Sequence, residues 1–89
     1  MSMKIGWRAL VPSDENEVVA LCDGVYSGND YVPRIFRSDW MCRQADDLLW
    51  TLAACDADSG AIVAFQALRF GLPFDGAATL EGLRVAVSG

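Results

Sequence analysis

Apolar residues recur along this chain with two different periods, and the switches between them mark out its elements. Ile5 to Leu10 is a short apolar run carrying Trp7 and Arg8, which predicts a first strand. The spacing then becomes helical: Val18, Leu21, Cys22 and Val25 form one stripe. Pro12-Ser13-Asp14-Glu15 precedes it, so Ser13 or Asp14 can cap the first backbone N–H groups, while Glu15 and Glu17 suit the positive end of the helix dipole. Gly24 weakens the last turn and Ser27-Gly28-Asn29-Asp30 ends it. A second short helix follows, with Pro33 in its first turn and Val32, Ile35, Phe36, Trp40 and Met41 on one side.

Asp46-Asp47 introduces Leu48 to Cys55, a run with the length and bulk of a strand. Asp56-Ala57-Asp58-Ser59-Gly60 is a turn cluster, and Ala61 to Arg69 is a second run of similar length, so the two predict a hairpin. Gly71 to Gly76 is a loop, and a closing strand runs from about Ala77 to Val87. The expected order is strand, helix, helix, strand, strand, strand, an α+β fold in which the last three strands form an antiparallel meander packed on two helices. Residues 1–89 hold neither a repeat nor a low-complexity linker and read as one domain.

Composition sharpens this picture. With 53% hydrophobic residues and a mean hydropathy of +0.23, the chain is too apolar for a disordered segment. So much apolar surface in 89 residues predicts a sheet face that expects cover from elsewhere. A net charge of −5 with seven scattered basic residues excludes a phosphate-neutralising patch, so nucleic acid is not an expected partner, whereas a small cationic or amine substrate is compatible. Cys22, Cys42 and Cys55, with no CxxC and no His in the chain, do not make a zinc site, and the lack of His removes the Ser-His-Asp and Cys-His schemes. They read as reduced thiols. No apolar stretch approaches a membrane span or a signal peptide, which predicts a cytoplasmic protein with no membrane partner.

Two segments carry a resemblance. Tyr26-Ser27-Gly28-Asn29-Asp30-Tyr31-Val32-Pro33, continuing as a basic helix to Trp40, and Leu80-Glu81-Gly82-Leu83-Arg84-Val85-Ala86 together resemble the GNAT superfamily of N-acetyltransferases, in its histidine N-acetyltransferase-like branch. The first element is distinctive of that branch; the second is a strand that many β proteins contain. The resemblance spans the chain from its first strand to its fourth and implies a truncated GNAT fold, the N-terminal half only. Family members continue into a loop and helix N-terminus that hold the acetyl-CoA pyrophosphate, and residues 1–89 end before it. Ser38-Asp39-Trp40 carries one residue more than the family's usual helix, and Gly71 to Gly76 is shortened.

The resemblance implies acetyl transfer from acetyl-CoA to a small amine or amino acid such as histidine, with Glu81 as the catalytic candidate. A carboxylate at that place on the fourth strand serves as general base if burial raises its pKa. The same carboxylate, read without the resemblance, is an exposed strand residue or pairs with Arg69 or Arg84. Leu83, Val85 and Ala86 are the cofactor-binding candidates, through backbone groups that meet the pantetheine arm; their alternative is ordinary sheet pairing. Asp30 and Tyr31 line the acceptor pocket on the family reading, or Asp30 caps the helix beginning near Val32. Arg34, with Arg37 and Trp40 at helical spacing, offers a guanidinium to an acceptor carboxylate, or belongs to a solvated stripe over a core aromatic. The competing expectation for the whole chain is an inactive interaction module that self-associates through its C-terminal strand.

Overall fold

The computed structural model describes residues 4–71 and 75–86. Four strands, β1 (Ile5–Arg8), β2 (Leu49–Asp56), β3 (Ile62–Phe70) and β4 (Ala78–Val85), lie in the order β1-β2-β3-β4, every pair antiparallel. The expected meander is present, and the first strand extends it beyond β2. The helices cover one face. A turn of 3-10 helix (Pro12–Asp14) leads into α1 (Glu15–Cys22), and α2 (Val32–Ile35) runs on through a π-helical segment (Phe36–Met41) into α3 (Cys42–Ala45). The expected end of the last strand at Val87 lies outside the described residues, as does the middle of the loop between Gly71 and Gly76.

The core forms where the helical stripes meet the inward residues of the sheet. Val18 and Cys22 of α1 and Val32, Phe36 and Trp40, four apart along the second helix, pack on Leu49, Ala53, Phe65 and Ala67. Leu21, Ile35 and Met41 close the rim of that cluster. The Trp40 indole stands edge-on to Phe65, with ring centroids 5.9 Å apart. A π turn, bonding five residues back, accommodates one residue more than an α turn. The π segment includes Ser38-Asp39-Trp40, and it leaves Trp40 facing the core.

Local chemistry sets the ends of the elements. Asp14 does not reach forward to cap α1 as expected; its carboxylate turns back to accept the Val11 N–H at 2.8 Å and pairs with Arg8 at 2.7 Å. The helical stretch ends in a Schellman arrangement, with Leu48 N–H on the Arg43 carbonyl, Asp47 N–H on that of Gln44, and Asp47 at φ 58°. In the β2–β3 turn the Asp56 carboxylate accepts the Asp58 N–H at 2.9 Å and Gly60 takes φ 77°. Leu10 leaves the sheet after β1, is fully buried, and donates its N–H to the Thr51 hydroxyl at 2.8 Å. Among the described residues no helix is long and apolar enough to cross a membrane.

Candidate functional site

Glu81 and Asp30 meet their partners on the helix-facing side of β4, and a bulge makes that possible. The register pairs Ala67 with Glu81 but Phe65 with Arg84, so Gly82 and Leu83 together oppose the single residue Gln66. Unbroken alternation would put Glu81 and Arg84 on opposite faces. The extra residue brings both to the helices and sends Leu83 to the other face, beside Trp7 and Leu52. Gly82 takes φ 68°, and a Cβ there would stand 2.6 Å from the Trp40 ring. Only glycine fits both the backbone and the space.

On one side of the bulge, Glu81 is held by three donors. Its Oε1 accepts the Trp40 indole N–H at 2.9 Å and an Arg69 guanidinium N–H at 2.7 Å; its Oε2 accepts Arg69 Nε–H at 3.1 Å. Arg69 also donates to both oxygens of Asp39, at 3.1 and 2.9 Å, and Asp39 accepts from Arg43 at 2.7 Å. Of the partners considered from sequence, Arg69 takes Glu81. The guanidinium, more than the opposing cost of burial, holds the Glu81 carboxyl below its usual range, with the Trp40 N–H adding to it. That shift runs opposite to the raised pKa a general base uses near neutral pH. Arg69 likewise holds Asp39 low.

On the other side, Arg84 reaches Asp30, Nε to Oδ2 at 2.7 Å and Nη2 to Oδ1 at 2.7 Å. Asp30 Oδ1 also accepts the Val32 N–H at 3.0 Å, so it caps the second helix while pairing with β4. Its side chain is 2% exposed, and the Arg84 hydrogen bonds bring its pKa down to about 2. Burial first, and then the nearby Asp30 carboxylate, push the Cys22 thiol up to about 12, so this cysteine stays protonated. Tyr31 is partly exposed, and the Arg84 guanidinium carbon lies 5.6 Å from its ring centroid. Arg34 is exposed and borders a hollow of about 250 Å³ that Asp30, Cys22 and Val19 also line.

The structure therefore gathers Asp30, Tyr31 and Arg34 in one corner, with Asp30 committed to Arg84. Leu83 and Val85 project onto the opposite face of the sheet and are exposed; Val85 and Ala86 border a hollow of about 470 Å³ beside Ala20, Leu21, Asp23 and Val25. Asp39 was not singled out from sequence, and the usable signal is slight: it precedes Trp40 on a helix already assigned to the core. Arg69 is two residues from Ala67, the register partner of Glu81, which makes it the diagonal same-face neighbour once the register is known. Among the described residues no group of three or more His, Cys, Asp or Glu side chains is placed to hold a metal.

No protein-family model and no curated protein matches the sequence. The fold does have a match among solved structures. It is similar to the crystal structure of a Trypanosoma brucei acetyltransferase, with a TM-score of 0.55 and 19% sequence identity over 93% of this chain and 61% of that one. An acetyltransferase-type α+β fold is thus what the sheet and its helices build, and the chain spans 61% of the length of the protein it resembles.

Proposed function

We propose that the chain is the front part of an N-acetyltransferase-like domain, serving transfer of an acetyl group from acetyl-CoA to a small amine or amino acid, histidine among the candidates. The observation that carries the reading is the fold, matched to an acetyltransferase over 93% of the chain. The bulged β4 supports it. Among the described residues β4 pairs only with β3, so its other edge offers backbone groups to an extended ligand arm carrying amides. Leu83, Val85 and Ala86 are the residues that would contribute them, and acetyl-CoA would supply the activated acetyl thioester.

The fit is partial. The hollow at the end of β4 is lined by Asp23 and apolar residues, with no basic side chain among them. A pyrophosphate calls for a helix N-terminus or cationic groups, which that lining does not provide. Glu81 is the proton acceptor in this reading, and its pair with Arg69 is the obstacle. A carboxylate held low by a guanidinium takes a proton poorly near neutral pH, so transfer requires that pair to loosen or a water to relay the proton. Asp30, Tyr31 and Arg34 would meet the acceptor, Tyr31 and Arg34 through exposed groups and Asp30 by fixing the loop.

Calorimetry with acetyl-CoA tests the reading on residues 1–89 and on a chain extended through the sequence that follows residue 89 in its gene. The expected outcome is binding by the extended chain alone. Micromolar binding by residues 1–89 overturns the claim that they lack most of the cofactor site, and failure of both chains overturns the acetyltransferase reading. In that event the open β4 edge favours an interaction module that pairs with a partner strand.

A further inference from the structure

A carboxylate that takes a proton while bonded to a guanidinium leaves a cation without its counter-ion, and the surroundings of Arg69 meet that difficulty. The Arg69 side chain is 12% exposed and presents two donor edges. Its Nε and Nη2 face Glu81, at 3.1 and 2.7 Å; its Nη1 and Nη2 face Asp39, at 3.1 and 2.9 Å. One guanidinium thus holds both carboxylates bidentately, Nη2 giving one N–H to each. Asp39 lies on the π-helical segment Phe36–Met41, so the stretch that seats the Trp40 indole N–H on Glu81 also brings Asp39 to the far edge of Arg69. Behind it stands Arg43, donating to Asp39 Oδ1 at 2.7 Å. The charged side chains that act on Glu81 are Arg69 from β3 and Asp39 from the π segment. Across Gly82 on β4 itself, Arg84 is given to Asp30.

We propose that Asp39 is a positioning residue for Glu81: it keeps the Arg69 guanidinium paired when Glu81 takes a proton. The inference rests on the reading of Glu81 as the proton acceptor in acetyl transfer. The proton leaves the nitrogen of the acceptor amine for a Glu81 oxygen, while Arg69 stays a cation and Asp39 a carboxylate. With Asp39 in place, neutral Glu81 leaves no orphaned charge, because Arg69 retains both bonds to Asp39. Without Asp39, protonation of Glu81 leaves a largely buried cation beside an uncharged carboxyl, which is the costly case. The Asp39 charge also works against the anionic form of Glu81, opposing part of what Arg69 does. Arg43 acts with the opposite sign, since its hold on Asp39 leaves more of Arg69 to Glu81.

Carbon-13 NMR of the Glu81 carboxyl, titrated from neutral to acid pH in wild type, Asp39→Asn and Arg43→Gln, tests the proposal without any cofactor. Asp39→Asn is expected to move the Glu81 titration to lower pH, and Arg43→Gln to move it higher. A merely structural Asp39 gives the reverse in Asp39→Asn, because a loosened Arg69 lets Glu81 return towards its ordinary value. A Glu81 titration that stays in place or rises in Asp39→Asn overturns the inference. Should circular dichroism show that Asp39→Asn does not fold, the exposed Arg43→Gln decides alone: a rise supports the inference and no change overturns it. In a chain extended to bind acetyl-CoA, Asp39→Asn is expected to lower kcat and carry the acid limb of the pH profile down, with the KM for acetyl-CoA unchanged. A shifted titration with unchanged turnover supports the coupling of Asp39 to Glu81 and overturns the reading of Glu81 as proton acceptor, so the two failures are told apart.

Discussion

Two ion-pair clamps fasten β4 to the helices, one on each side of Gly82, and they are built differently. Asp30–Arg84 is a bidentate pair with side chains 2% and 10% exposed, and its carboxylate doubles as a helix cap. Glu81–Arg69–Asp39 shares one guanidinium between two carboxylates, is open to water at its carboxylate ends, and continues to the exposed Arg43. A sealed pair is shut off from water when one member goes. A shared and hydrated one keeps other partners. The first clamp is therefore built for holding the strand, and the second is where a charge can change without loss of the fold.

Arg84→Ala tests the sealed clamp most severely. It leaves Asp30 buried with no counter-ion, and removing one partner of a buried pair costs about 3–5 kcal/mol. Urea unfolding is expected to show that loss as a lower midpoint with little change in slope. A loss below about 1 kcal/mol, the range of surface pairs, erases the distinction between the clamps.

Gly82→Ala attacks the bulge between them. The new methyl group meets the buried Trp40 ring at 2.6 Å, and the residue must hold φ 68°. Left-handed strain and overpacking each cost of the order of 1–3 kcal/mol, so a loss of about 2–4 kcal/mol is expected in the same assay. Wild-type stability in this variant means that β4 reaches both clamps without the bulge.

Acid separates the clamps by pH. The Asp30 pKa is about 2, below its ordinary 3.8. A depressed carboxyl stabilises the fold above its unfolded value and loses that contribution as pH falls through the folded one. The Asp30 contribution, about 2 kcal/mol at most, is expected to be intact above about pH 4 and lost between about 4 and 2. Asp39 and Glu81, also held low, act in the same direction. Stability measured from pH 6 down to 2 in wild type and Asp30→Asn checks this, and a slope in that window that Asp30→Asn leaves untouched assigns the acid sensitivity to the other clamp.

Much of this architecture is legible before any coordinates. The i, i+4 spacing of Val32, Phe36 and Trp40 and the Asp56–Gly60 turn each announce an element, because helix period and turn chemistry are local properties. The clamps are not local. Glu81 has two arginines within reach on paper, and only the register, with Ala67 opposite Glu81, chooses Arg69. Gly82 sits in an apolar run that reads as plain alternation, so the parity of Arg84 relative to Glu81 comes out wrong until the bulge is seen. Asp30 was readable as a cap from its type and place, and it is one. Its second bond, to a residue 54 positions on, has no sequence signature.

Glu81→Gln is the mildest change and the most informative about function. The amide keeps an acceptor for the Trp40 N–H, and Arg69 retains both oxygens of Asp39, so no buried charge is orphaned. The expected loss is at most about 1 kcal/mol, that of one charge-assisted contact in a hydrated network. The corresponding change in the sealed clamp, Asp30→Asn, is expected to cost clearly more, because it removes the charge from a carboxylate buried against the Arg84 guanidinium. If Glu81 serves acetyl transfer, its amide variant in a chain extended to bind acetyl-CoA retains cofactor binding while turnover falls by the roughly hundredfold or more that general-base removal brings. Equal turnover in the two proteins removes Glu81 from the chemistry and leaves it the role its neighbours already give it, a strut between β4, Arg69 and Trp40.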